Sequence, residues 1–290
     1  MLENTYRFRV GDFKCMVVSD GTFTYANPAH AVFTNAPKEP LEQALRQYGI
    51  ELDGWKEWDG PYMDLYVDTG EHKVMIDTGG GHLGPNTGKL LPSLRSGGIE
   101  PEEIDTVLIT HAHADHIGGN VDSQGRPAFP NARYAIGRKE WEFWVPEPDL
   151  SGIDWDKGMI QHLIDTAHEN LRPIEDRVVL IEDGAEVVPG IRVIAMPGHT
   201  PGQIVPIITS NGERLMCTSD AVIHPVHVEH PDWVCVVNIA NGPAVDSARC
   251  FLEMAVREKA LVHGFHFPWP GLGHILQKGD GWQWQPIAIG

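Results

Sequence analysis

Thr110-His111-Ala112-His113-Ala114-Asp115-His116-Ile117-Gly118-Gly119 is the stretch on which the reading of this chain turns. Three imidazoles and a carboxylate fall within six residues. They directly follow the apolar run Thr106-Val107-Leu108-Ile109, which reads as a buried strand. Neutral imidazole nitrogen and aspartate oxygen are the ligands that zinc and similar divalent metals take. In extended chain His111 and His113 project to the same side, so both can grip one ion. Asp115 and His116 come after the chain has turned and face a second point nearby. Gly118-Gly119 let the backbone bend close behind the ions. The pattern predicts a metal site rather than a polar loop with chance histidines.

On the N-terminal side, Phe8, Val10 and Phe13 to Val18 predict a hairpin over residues 6–25 with a turn at Asp20-Gly21. Residues 26–60 are richer in Pro, Gly and Trp and read as an excursion over one end of the domain, with a helical piece at Leu41 to Tyr48. Strands are predicted at 62–67 and 73–76, the second running into Asp77-Thr78-Gly79-Gly80-Gly81. Further on, strands at 133–136, 178–181, 191–195, 204–209, 214–218 and 260–262 alternate with helices at 138–144, 159–171 and 245–257. A hairpin is expected around Gly279-Asp280-Gly281. Hairpins giving way to strand–helix alternation indicate layered α/β architecture. The candidate ligands all sit just past the carboxyl ends of predicted strands, after Ile109, Ala195, Met216 and Val262. Loops at one end of a sheet can converge on one point.

A chain of 290 residues can bury one large core, so one domain spanning 1–290 is expected. The 22 basic against 40 acidic residues give a formal charge of −18, a field that repels phosphate backbones and argues against nucleic acid as a partner. No apolar run is long enough to span a bilayer, and Met1 to Arg7 shows no secretory pattern, so no membrane association and a cytoplasmic location are expected. Cys15, Cys217, Cys235 and Cys250 have no paired spacing and are expected to be reduced.

Taken in order, Ile76-Asp77-Thr78-Gly79, His111-x-His113-x-Asp115-His116, Pro197-Gly198-His199-Thr200-Pro201-Gly202, Asp220 and His266 resemble the motifs of the metallo-β-lactamase-fold superfamily. The resemblance covers roughly Phe8 to His274. It implies a four-layer αβ/βα sandwich, two mixed sheets flanked by helices. It also implies a metal set in which His111, His113 and His199 hold one ion, Asp115, His116 and His266 hold a second, and Asp220 bridges both. Two divalent cations are expected, zinc foremost, with Mn, Fe or Co also accepted by such ligands. Asp77 is similar to the family's structural aspartate. His263 competes with His266, which is preferred because Phe265 to His274 looks like the closing segment of the branch containing methyl parathion hydrolase and related lactonases. Cys217 is three residues too early for a ligand and reads as a core residue.

Such an ion pair lowers the pKa of bound water toward roughly 7, giving a bridging hydroxide that attacks an ester-like bond. The resemblance therefore implies a metal-dependent hydrolase for a small lactone or ester with an apolar group, and homodimers are common among the resembled enzymes. Asp115 and Asp220 are the candidate catalytic carboxylates. The resembled acyl-homoserine lactonases place a tyrosine three residues after the bridging aspartate. Here that position is Ile223, and His224 is the candidate replacement. Trp141, Phe143, Trp144, Trp155, Trp233, Phe267 and Trp269 are candidates for an apolar pocket. Phosphotriester hydrolysis is the alternative; glyoxalase II-like thioester hydrolysis and a mononuclear iron persulfide dioxygenase are more distant ones.

Overall fold

The computed structural model describes residues 4–153 and 155–289. Two seven-stranded sheets carry the chain. The first takes its strands in chain order: β1 (Thr5–Val10), β2 (Phe13–Ala26), β3 (Glu57–Asp68), β4 (Lys73–Ile76), β5 (Thr106–Ile109), β6 (Arg133–Gly137) and β7 (Val178–Ile181). The second holds β8 (Glu186–Val188), β9 (Ile191–Ala195), β10 (Ile204–Ser210), β11 (Glu213–Cys217), β12 (Leu261–His263), β13 (Leu272–Lys278) and β14 (Gly281–Pro286), again in sequence order. The helices are α1 (Pro28–Val32), α2 (Lys38–Arg46), α3 (Leu90–Ser96), α4 (Ala114–Ile117), α5 (Arg138–Trp144), α6 (Lys157–Leu171), α7 (Pro225–Glu229) and α8 (Asn241–Glu258). Both sheets are mixed. Strands β4 to β7 pair in parallel and β11 pairs in parallel with β12, while the remaining neighbours are antiparallel.

The period-two alternation of the strands decides how the layers stack. Cys15 and Val17, Leu65 and Val67, Val74 and Ile76, and Leu108 share a cluster with Val193, Val205 and Met216 of the other sheet. Their neighbours in sequence, Met16, Val18, Tyr66, Met75, Val107 and Ile109, point the other way, against Leu90 and Leu94 of α3 and Ile164, Ala167 and Leu171 of α6. Helix α8 adds Phe251 and Leu252 to the intersheet cluster. Burial on both faces explains why β4 and β5 read as continuous apolar runs rather than alternating ones. Leu108 is fully buried, so Leu108→Ala removes about 2–5 kcal/mol of stability. Four layers result, as the sequence resemblance implies.

The expected turn at Asp20-Gly21 is absent. Strand β2 runs on to Ala26 with a bulge between Ser19 and Gly21, and the hairpin turn lies earlier, where Gly11 takes a φ of +55°. The Asp-Gly signal was real but tertiary: β3 pairs on both sides of it, and the Asp20 side chain is drawn inward to the glycine loop that follows β4. The segments β8, α4 and α7 are too short to leave a periodic trace in sequence. Of the excursion expected over 26–60, residues 27–56 form it, while Ala26 ends β2 and 57–60 open β3. Val32, Phe33, Leu41, Ala44 and Leu45 pack on Ile223, Val226 and Trp233. Among the described residues, no helix is long and apolar enough to cross a membrane.

Candidate metal centre

The chain leaves β5 still extended, with His113 at φ −72° and ψ 154°, then closes at once into the single turn of α4. That change of direction carries Asp115 and His116 away from the side that His111 and His113 share. Ligand atoms then meet from four loops, in three overlapping groups whose atoms all lie within 4.8 Å of one another: His111 with His113 and His199, His111 with His116 and Asp220, and Asp115 with His116 and His266. His113 Nδ1 stands 2.8 Å from His199 Nε2. Asp220 turns one oxygen to each side. Its Oδ2 is 3.2 Å from His199 Nε2 and 4.0 Å from His111 Nε2. Its Oδ1 is 3.2 Å from His116 Nε2 and 3.5 Å from His266 Nε2. Asp115 Oδ2 lies 3.3 Å from His266 Nε2. All seven candidate ligands therefore converge. His263 is buried but belongs to none of these groups, and Cys217 packs between the sheets.

Whether these atoms suit cations depends on which nitrogens carry hydrogen. His116 Nδ1 lies 2.8 Å from Asp77 Oδ2, and His266 Nδ1 lies 3.1 Å from the Pro61 carbonyl oxygen. His199 Nδ1 is 2.8 Å from Asn238 Oδ1, and His111 Nδ1 is 3.2 Å from Thr110 Oγ1, whose own proton goes to Asp77 Oδ2. These partners accept, so each Nδ1 bears the hydrogen and each Nε2 presents a lone pair to the cluster. His111 Nε2, His116 Nε2 and Asp220 Oδ1 are buried without any hydrogen-bond partner. Lone pairs and carboxylates crowded out of water are costly unless a cation joins them. The donor set fits two divalent metal ions, zinc foremost, and His111, His113 and His199 would hold one while Asp115, His116 and His266 would hold the other beside a shared Asp220.

Electrostatics divide the cluster in the same way. Burial, aided by the neighbouring His199, drives His113 down to about 3, and burial with His116 drives His111 well below its usual value. Burial acts the same way on His116 and His266, but carboxylates overcome it. Asp220, Asp115 and Asp77 push His116 well up, and Asp220 with Asp115 pushes His266 to about 9. Burial alone would raise Asp220; the imidazoles of His266, His116 and His199 hold it well below the carboxylate range. Bound cations would take over from protons the role of balancing Asp115 and Asp220 beside His116 and His266.

Behind the ligands stand carboxylates that fix the loops. Asp77, at a φ of +60°, accepts from the Thr110 amide at 2.8 Å besides its bonds to Thr110 Oγ1 and His116. Glu140 on α5 is fully buried, yet no motif marks it. Its Oε1 accepts from the Ala112 amide and Trp144 Nε1, both at 2.8 Å, and its Oε2 from Thr200 Oγ1 at 2.7 Å and the Gly202 amide at 2.9 Å. One side chain thus ties the His111–His113 segment to the His199 loop. The available signal was a charge on the inward face of a Trp-bearing helix. Asp20 accepts from the amides of Gly80, Gly88 and Leu90 and shapes the glycine loop. A Cβ on Gly119 would stand 2.1 Å from the Thr78 carbonyl oxygen, so close backbone approach, not φ, requires glycine there.

The sequence profile of the Metallo-beta-lactamase superfamily matches residues 61–275, which span every one of these ligands. The chain belongs to that superfamily. An N-acyl homoserine lactonase from a Bacillus species is 27% identical over 245 residues, covering 80% of this chain and 85% of the relative. Among solved structures, AidC, a dizinc quorum-quenching lactonase in complex with a product, N-hexanoyl-L-homoserine, is 27% identical with a TM-score of 0.91, covering 99% of each chain. The hydrolase AbOPH, of the beta lactamase superfamily, shares the fold with a TM-score of 0.91 at 24% identity, covering 100% of this chain and 99% of its own. With this family and this donor set, the protein is a metal-dependent hydrolase.

This superfamily member carries a cavity of about 370 Å³ over Asp115, Asp220 and His266, walled by Phe23, Tyr25, Trp58, Tyr62, Met159, Leu163 and Val237 among others. The aromatic wall comes from β2 and β3, not from Trp141, Phe143, Trp144, Trp155, Trp233, Phe267 or Trp269, none of which lines the cavity. Trp144 and Phe267 are core, and Trp233 stacks on His230 at 3.9 Å. Their spacing carried no information about which side of the sheet they would face. His224 is also absent from that wall. It caps α7 by accepting from the Val226 amide at 3.1 Å, and its ring sits among Phe33, Tyr48, Trp55 and Trp58. Burial pushes it down to about 3. The geometry gives His224 a packing role and leaves the expected catalytic one without contact to the cavity.

Proposed function

We propose that the protein hydrolyses a lactone or kindred carboxylic ester bearing an apolar acyl group. The observation carrying this reading is the junction of a ligand cluster with an apolar cavity of about 370 Å³, roughly the size that small ligands fill. The likeness to lactonases at 27% identity supports the same substrate class. Two divalent ions bound here would supply Lewis acidity and lower the pKa of water toward ~7. The chain's own residues then have distinct tasks. His111, His113, Asp115, His116, His199, Asp220 and His266 would hold the ions, and the second partners of His111, His116, His199 and His266 keep their lone pairs aimed. Asp115, the more exposed of the two cluster carboxylates, would take the proton leaving the attacking water and pass it to the alkoxide oxygen that departs as the ester C–O bond breaks. The apolar wall takes the acyl group and keeps bulk water from it. Asp220, with an oxygen toward each half of the cluster, favours two ions over a single-iron site.

The stacked Tyr25 and Trp58 rings, 5.4 Å apart, also suit an aryl group, which keeps aryl phosphotriesters as the second reading. A hydrolysis panel on metal-quantified protein, with short- and long-chain lactones, aryl esters and phosphotriesters, separates them. Lactones with apolar acyl chains are expected to turn over fastest, and His116→Ala and Asp220→Ala to abolish turnover. Protein holding two metal equivalents that cleaves none of these compounds would contradict the reading.

A further inference from the structure

We propose that Tyr25 and Tyr62 act as a paired hydroxyl donor to the substrate's carbonyl oxygen, Tyr25 presenting the free O–H; this rests on the hydrolytic reading above. Both rings line the cavity beside Asp115, Asp220 and His266, in a wall otherwise dominated by carbon. Their hydroxyls are 2.7 Å apart, and neither has another hydrogen-bond partner among the described residues. One bond between two hydroxyls uses one proton and leaves the other uncommitted. Either hydroxyl can donate in that bond; because Tyr62 is fully buried and Tyr25 partly exposed, we assign the Tyr62 O–H to the Tyr25 oxygen, which leaves the Tyr25 proton for the cavity. A hydroxyl that accepts a hydrogen bond is polarised into a stronger donor.

The pair is held rigidly, which is what a preorganised donor needs. The Tyr62 ring meets the His266 ring edge-on at 5.4 Å and stacks on Phe265 at 5.7 Å, while Tyr25 stacks on Trp58. Glycine makes room for both. A Cβ on Gly60 would stand 2.7 Å from the Tyr25 ring, and one on Gly80 2.9 Å from the Tyr62 ring. Neither hydroxyl has a carboxylate or imidazole as hydrogen-bond partner among the described residues. The pair therefore stabilises charge on oxygen by hydrogen bonding and transfers no proton. Such a donor gains strength as the carbonyl oxygen becomes anionic, so its effect falls on the transition state more than on the bound ester.

The test compares Tyr25→Phe and Tyr62→Phe with the parent protein, each at verified metal content and melting temperature. N-hexanoyl homoserine lactone serves as substrate, the corresponding γ-lactam as an uncleaved ground-state analogue, and a phosphonate ester as a mimic of the tetrahedral charge. Tyr25→Phe is expected to lower kcat about 10- to 100-fold with KM nearly unchanged, and to weaken the phosphonate by the same factor in calorimetry while lactam affinity stays within twofold. Tyr62→Phe is expected to lie between the two. Tyr25→Phe with kcat and phosphonate affinity within twofold of the parent overturns the proposal while leaving the hydrolase reading standing. A parent protein with two metal equivalents that cleaves neither lactone nor ester overturns both.

Discussion

The two sides of the metal cluster are built on different principles. Behind it stand buried carboxylates: Asp77 and Glu140 each accept at least three hydrogen bonds from the loops that carry the ligands, and Asp20 accepts three from the glycine loop that follows β4. In front of it lies a carbon-walled cavity in which the Tyr25–Tyr62 bond stands almost alone. Metal ligation requires atoms placed within tenths of an ångström, and only directional bonds to fixed partners supply that. Binding an apolar group requires volume and dryness, which many side chains provide equally well. The rear therefore constrains residue identity, and the front, the Tyr25–Tyr62 pair apart, constrains chiefly size.

The largest expected effect comes from emptying the cluster. Dialysis against a chelator should abolish hydrolysis and lower the melting temperature, because the orphaned lone pairs and carboxylates remain buried together; added zinc should restore both, as read by calorimetry and turnover. Glu140→Ala ranks next. It strips the partners from two buried amides, a hydroxyl and an indole N–H, so a loss of about 3–5 kcal/mol is expected in denaturant unfolding, with weakened metal retention. Asp77→Asn keeps the volume but removes the carboxylate that orients His116, and metal affinity should fall about 10- to 100-fold by competition with a chromophoric chelator. The smallest effect is reserved for the front. Ile223→Phe narrows the cavity and should shift preference toward short acyl chains by about 10-fold in kcat/KM ratios while metal content stays unchanged. If front substitutions instead emptied the metals, or rear ones changed only chain-length preference, the contrast between the two sides would fail.

That contrast also explains what the sequence reveals. His111, His113, Asp115 and His116 are legible because they crowd six residues directly after a buried strand; His199, Asp220 and His266 are legible because their ordered motifs resemble the superfamily's, and all sit just past strand ends. Asp77 is legible for the same reason. Glu140 is not: its four partners come from three separate segments, and only the folded chain brings them to one carboxylate. Asp20-Gly21 misleads because a local turn signal loses to pairing with β3 and to the pull of three amides. The cavity wall is the least legible part. Tyr25, Trp58 and Tyr62 are polar-aromatic residues within two long strands, and nothing local distinguishes them from Trp144 or Phe267, which went to the core. The four layers are implied by the resemblance and not by local pattern: Met16 and Val17, like Val107 and Leu108, face opposite layers yet are all apolar.

The central claim is that seven side chains from four loops bind a pair of cations through a shared Asp220. Titrating metal-free protein with zinc while counting bound ions by elemental analysis tests it most directly. Two equivalents per chain are expected, falling to one or fewer in Asp220→Ala; saturation of the parent at a single equivalent, or unchanged binding of two in the variant, would contradict it.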